Sequence, residues 1–130
     1  MGTWCPNCMD ETAFLSPFYK KYKEKGVEII GLDFERIDEF RIARQNLQRL
    51  KKKFDIDYTL LYAGTMDPEL RLKALPMLNR ILSFPTTIFI DRNNKVRRIH
   101  TGFSGPATGE HYEMWKEDFV NYVDHLLKEK

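Results

Sequence analysis

The stretch VEIIGLDFE at positions 27–35 constrains the fold most strongly. Val27, Ile29, Ile30, Leu32 and Phe34 make it almost continuously apolar, and the branched residues favour extended backbone. Such a run suits a buried strand better than a strand with one wet face. Helical patterns lie on both sides of it. Upstream, in PNCMDETAFLSPFYKKYKEKG, Phe14, Phe18 and Tyr22 recur every fourth residue and build one apolar face. Pro6 suits the first helical position, and Gly26 is a fitting stop. Pro17 inside the run predicts a kink or a division, with Ser16 capping a second segment.

Downstream, Phe40, Ala43, Leu47, Leu50 and Phe54 alternate at spacings of three and four, which predicts a helix near 37–54. YTLLYAG at 58–64 reads as a short extended segment. DPELRLKALPMLNRIL at 67–82 reads as a loop and a helix interrupted at Pro76, and TTIFID at 86–91 as another strand. The turn residues RNN lead into KVRRIHTGF at 95–103, so these last two segments form a hairpin. A final helix over about 109–128 packs through Trp115, Phe119, Tyr122 and Leu126. Helix–strand crossovers followed by a hairpin and a helix indicate an α/β fold. The length of 130 residues suits one domain, 1–130, without repeats or low-complexity linkers.

Composition narrows the function classes. Nine Phe, six Tyr and two Trp argue against disorder. A formal charge of +2, from 21 basic and 19 acidic side chains, gives no electrostatic case for nucleic acid or an anionic membrane. The densest basic patch, RLKKKF at 49–54, falls on a helical pattern and reads as a solvated face. No apolar run approaches the roughly 20 residues of a membrane span, and no signal peptide is visible.

Both cysteines of the chain, Cys5 and Cys8, stand in MGTWCPNC. Two buried core cysteines would not need this spacing. A structural zinc site needs four ligands, and His100, His111 and His125 show no ligand spacing, so no metal is expected. A permanent disulfide here would close too small a loop to constrain the unfolded chain much. A pair cycling between dithiol and disulfide fits best. With Pro6 opening the helix, Cys5 sits at its cap, where free N–H groups and the positive helix end favour an anionic sulfur. Cys8 lies about one turn deeper, within reach of a mixed disulfide on Cys5. Cys5 is then the nucleophile and Cys8 the resolving thiol. Trp4 either shelters the pair and faces a partner or is ordinary core packing.

A second feature, FPTTIFID at 84–91, accompanies the motif. Together, GTWCPNC and FPTTIFID resemble the thioredoxin-like superfamily, and within it the TlpA/ResA-like thiol-disulfide oxidoreductases of bacterial envelopes. That resemblance covers nearly the whole chain, including Gly102 after the last strand and an inserted helix and extended segment at about 36–64. It implies a three-layer α/β/α sandwich with a mixed sheet. It also implies a cis Pro85 beside the cysteines, with the Phe84 backbone free to pair with an extended substrate. The simpler reading of Pro85 is a strand-initiating proline. Glu11, three residues after Cys8, matches a glutamate that such proteins use to handle the proton of the buried cysteine, although an acid in a first helical turn is favourable by the helix dipole alone. Asp10 is a weaker candidate for the same work.

Departures from the family pattern are Ala13 where many relatives have proline, and the unusual Pro6–Asn7 pair between the cysteines. In thioredoxin-like folds a central strand runs directly into the CxxC helix. The expectation is therefore a domain truncated at the CxxC motif. Its sheet either misses the middle strand or closes 27–34 directly onto 86–91. Thiol-disulfide exchange with protein thiols and disulfides, re-reduced by a redox partner protein, is the expected function, with the protein acting as a reductant in a bacterial envelope. The only expected redox centre is the Cys5–Cys8 disulfide, without a bound cofactor. Cys5, Cys8 and Glu11 are the expected catalytic residues, and Trp4, Pro6, Phe84 and Pro85 line the substrate. A peroxiredoxin-like peroxidase and a non-catalytic thioredoxin-fold binding module are the alternatives.

Overall fold

A computed structural model describes residues 1–67, 69, 73, 75 and 84–129. The chain runs α1 (Pro6–Tyr22), β1 (Ile30–Glu35), α2 (Phe40–Phe54), β2 (Thr59–Thr65), β3 (Thr86–Ile90), β4 (Val96–Thr101) and α3 (Glu110–Lys128). The loop and helix expected at 67–82 lie for the most part outside the described residues.

α1 continues through Pro17 rather than dividing there. Proline removes the N–H that would bond the carbonyl four residues back. That carbonyl belongs to Ala13, and both Ala13 and Pro17 face solvent, so water can satisfy it. Ser16 caps nothing. Its buried hydroxyl instead lies 2.7 Å from the Phe54 carbonyl and 3.1 Å from that of Asp55, tying α1 to the end of α2. A 3-10 turn at Lys23–Lys25 closes on Gly26, whose φ of +99° is open to glycine without strain.

β1 and β2 are parallel, from Ile30 opposite Thr59 to Glu35 opposite Thr65. β3 and β4 are antiparallel, from Thr86 opposite Thr101 to Ile90 opposite Val96. The turn between them is held by the Asp91 carboxylate, which accepts from the Asn93 and Lys95 amides at 2.8 and 3.0 Å. Among the described residues these pairs form two separate two-stranded sheets, with no ladder from β1 to β3. The open middle is the first of the two arrangements expected. On that edge, the Met1 nitrogen donates to the Leu32 carbonyl and the Met1 carbonyl accepts from the Phe34 amide, both at 2.9 Å. These two bonds are a single parallel bridge centred on Asp33. Only the C-terminal half of β1 is buried as expected. Ile30 is 57% exposed, since the strand's first residues lack cover.

Two aromatic-rich clusters flank α1. Phe18 and Tyr22 pack with Phe119 and Val123 of α3, with Phe89 of β3 against them. Tyr19 packs with Leu50, Ile56 and Tyr58 at the junction of α2 and β2. Each fully buried large side chain contributes on the order of 1.5–3 kcal/mol, so these clusters fix the helix that carries the cysteines. Phe40 departs from the expected apolar face. It is 62% exposed and touches the Tyr62 ring at 5.8 Å, standing at the very first residue of α2.

Candidate active site

Cys5 is the N-cap of α1, with extended backbone at φ −101° and ψ 110° and Pro6 in the first turn. Its sulfur accepts the Cys8 amide N–H at 3.2 Å, taking the place of the oxygen that usually caps a helix. Both thiols are free and buried. Cys8 is the deeper, 1% exposed against 5% for Cys5. Burial, reinforced by the hydrogen bond with Cys5, pushes the Cys8 thiol up to about 12. This sulfur holds its proton at neutral pH unless a base takes it.

One turn further on, Glu11 is also buried. Its Oε1 accepts the Thr87 hydroxyl at 3.4 Å, while Oε2 has no hydrogen-bond partner. Burial pushes the carboxyl up to about 7, against the opposing pulls of the Met1 ammonium and the Thr87 bond. Glu11 therefore switches between acid and base near neutrality, as a proton-transfer group should. Thr12 extends the polar seam. Its hydroxyl donates to the Cys8 carbonyl at 2.8 Å, and it is hydrogen-bonded to buried Tyr58, whose phenol burial pushes up to about 12.

Trp4 is half-buried and joins three elements. Its indole N–H donates to the Phe34 carbonyl at 2.8 Å, and its ring meets Phe84 edge-on at 5.5 Å. The Arg36 guanidinium lies 4.5 Å over the same ring, a contact worth about 0.5–1 kcal/mol when exposed. Gly2 is required beneath it, since a Cβ there would stand 2.2 Å from the indole nitrogen. Phe84 is half-buried and Pro85 fully buried; the peptide bond between them is cis. The Pro85 carbonyl accepts the Gly102 amide at 2.7 Å. Pro6 and Asp10 are exposed.

The fold thus gathers Trp4, Cys5, Cys8, Glu11, Phe84 and Pro85 around the start of α1 and the entry to β3. Pro6 stands on the outer side, and Asp10 points away from the buried seam into solvent. Thr12, Tyr58 and Arg36 join the site without any signal in the sequence, and Thr87 with a single one. Thr87 follows Pro85 by two residues on an alternating strand, the one hint that it shares Pro85's side.

Comparison with known proteins agrees with this geometry. Residues 1–113 match the family model described as Redoxin. Over 95 residues the chain is 35% identical to a thiol-disulfide oxidoreductase ResA of Bacillus cereus, covering 73% of this chain and 47% of that protein. Over 125 residues it is 26% identical to the ResA of Geobacillus thermodenitrificans, covering 96% of this chain and 59% of that protein. The chain therefore spans about half the length of these curated relatives. The crystal structure of a thiol-disulfide isomerase from Corynebacterium glutamicum superposes with a TM-score of 0.69 at 18% identity, covering all of this chain and 78% of that one, which shows the shared fold. With its α/β architecture, its capped cysteine pair and a family match over most of its length, this chain belongs to the redoxin family.

Proposed function

We propose that the chain is a thiol-disulfide oxidoreductase that reduces disulfides of partner proteins through Cys5 and Cys8. The observation that carries this reading is the buried seam of Cys8 and Glu11 behind a sulfur held at a helix cap. The Cys5 thiolate attacks one sulfur of the partner's disulfide, forming a mixed disulfide and releasing the other partner sulfur as thiolate. Cys8 then gives its proton to the Glu11 carboxylate and attacks the Cys5 sulfur. The second partner thiolate leaves, and the Cys5–Cys8 disulfide remains. Two electrons pass from this protein's dithiol to the partner, and a redox partner protein restores the dithiol.

Glu11 makes the second step possible at neutral pH, because the Cys8 thiol is a weak acid in its buried setting. Trp4, Phe84 and Pro85 form the wall that the partner's disulfide meets, with exposed Pro6 at its rim. Beyond the cysteine pair itself, the reaction calls for no cofactor. The resemblance to ResA proteins supports a bacterial envelope as the setting; no helix among the described residues is long and apolar enough to cross a membrane.

Insulin reduction in the presence of dithiothreitol tests the activity, and a rate no faster than dithiothreitol alone would reject it. Equilibration of the cysteine pair with a glutathione buffer tests the direction. A potential of about −270 mV suits a reductant, and one of about −120 mV an oxidant.

A further inference from the structure

The basic run at the end of α2 is exposed, and part of it borders a cleft. A cleft of about 500 Å³ opens between the start of α1, the end of β1 and α2, and Arg49 and Lys53 line it. Its floor is apolar, with Met9, Ile42, Ala43 and Leu50, and Trp4 stands at one side. Trp4 and Met9 are the immediate neighbours of Cys5 and Cys8, so their Cα atoms lie about 3.8 Å from those of the two cysteines. The cleft therefore borders the segment that carries the reactive pair, although neither cysteine lines it. Its volume is within the range of ligand sites, roughly 300–1,000 Å³.

Three cations border the cleft, Arg36, Arg49 and Lys53, all solvent-exposed. Among the described residues none of them makes an ion pair with a carboxylate. Arg36 is stacked on Trp4, and Lys53 on the ring of Phe54 at 5.3 Å. The one carboxylate in the lining, Glu35, is buried and accepts the Thr3 hydroxyl at 2.5 Å. Arg49 and Lys53 stand one helical turn apart, so they lie on the same side of α2. Glu39 marks the opposite end of the helix, about 15 Å from Arg49 along the axis. Cations spaced along a helix match carboxylates spread along a chain better than a compact anion such as phosphate. Ile37, 59% exposed at the cleft edge, extends the apolar surface outward, as contact with a macromolecule would use.

Resting on the disulfide-exchange reading above, we propose that this cleft binds the partner polypeptide beside its disulfide, taking an apolar side chain onto its floor and acidic residues against Arg49 and Lys53. The bound chain then runs from Cys5 past Trp4 towards the C-terminal end of α2. Substrates with an acidic stretch flanking the reactive disulfide are selected, and their capture weakens with salt because the cations are exposed.

The test separates recognition from chemistry. Two labelled short peptides, with serine in place of cysteine and one leucine nearby, differ only in carrying two glutamates or two lysines. Fluorescence anisotropy with the full chain should show about tenfold tighter binding of the acidic peptide, the effect expected of two exposed charge pairs. R49E/K53E should erase or reverse that preference; both side chains are exposed, and the variant's circular dichroism checks that it folds. Equal binding of the two peptides, or a preference surviving in R49E/K53E, overturns the proposal. Displacement of the acidic peptide by equimolar decanoate also overturns it, in favour of a small anionic amphiphile. Reduction of neutral hydroxyethyl disulfide by the wild-type chain reports the exchange reading separately, so a failure there is distinguishable from a failure of recognition.

Discussion

Two buried carboxyls, in the second turn of α1 and in the middle of β1, invite comparison. Glu11 and Asp33 are both buried, Asp33 completely, and burial pushes both upward, Glu11 to about 7 and Asp33 to about 8. Their neighbours differ. Glu11 has one oxygen on Thr87 and lies a helical turn from the Cys8 thiol, which loses its proton in the proposed reaction. Neither Asp33 oxygen has a partner in hydrogen-bond geometry among the described residues, and the carboxyl of Glu35, two residues along the strand, pushes it further up, while the Met1 ammonium, which acts on both carboxyls, pulls it down. A raised carboxyl is therefore not in itself a catalytic group. It becomes one where a proton must move beside it. At Asp33 burial is a burden on stability, relieved when the group is protonated.

The sharpest way to break this comparison is to remove the neighbour. Cys8→Ser should abolish turnover and accumulate a mixed disulfide on Cys5, visible as a mass adduct with a disulfide peptide. In that background Glu11→Gln should leave the rate of the first attack unchanged, since Glu11 then has no proton to take. If Glu11→Gln slows the first attack as well, its role is not confined to Cys8.

With Cys8 intact, Glu11→Gln should slow resolution of the mixed disulfide by roughly 10²-fold, the scale of a lost general base. The wild-type rate should rise with pH through about 7 as Glu11 ionises, and that step should vanish in the variant. Asp33→Asn should leave the step in place. Single-turnover kinetics between pH 5 and 9 check both.

Asp33→Asn should act instead on stability. Below the ordinary aspartate range the carboxyl is protonated in both the folded and unfolded states. Between about 4 and about 8 the folded state keeps a proton that the unfolded state has released, so stability falls as pH rises through that window. Glu11 adds a slope of the same sign up to about 7. Asp33→Asn should therefore raise Tm by several degrees at pH 9, with little effect at pH 4. An unchanged Tm at pH 9 would mean that Asp33 is better solvated than its surroundings suggest. The smallest effect belongs to Thr87→Val. Losing a bond that favours the Glu11 carboxylate should move the kinetic step to higher pH by less than one unit.

Much of this site was legible in the sequence because its signals are local. The cysteine spacing, Pro6 in the first turn and Glu11 one turn on all follow from helical geometry. The hairpin was legible from RNN, and the α1 core face from Phe14, Phe18 and Tyr22. Where the reading failed, tertiary contacts had overridden local preference. Ser16 looked like a cap, yet it bonds carbonyls 38 and 39 residues away. The run 49–54 is the solvated face expected, with Arg49, Lys51, Lys52 and Lys53 exposed, but the cleft that α1 and β1 place beside Arg49 and Lys53 had no signal in it.

By itself, then, the sequence determined the order of the elements, the α/β class and the two thiols at a helix start, because periodicity and capping act over a few residues. Only the tertiary structure decided that Thr87 reaches Glu11 across 76 residues, that Arg36 stacks on Trp4, and that Asp33 is buried with neither oxygen in hydrogen-bond geometry to another described residue. These follow from which surfaces meet when strands and helices pack, and that choice is made by the hydrophobic burial of the whole chain rather than by the spacing within any one segment.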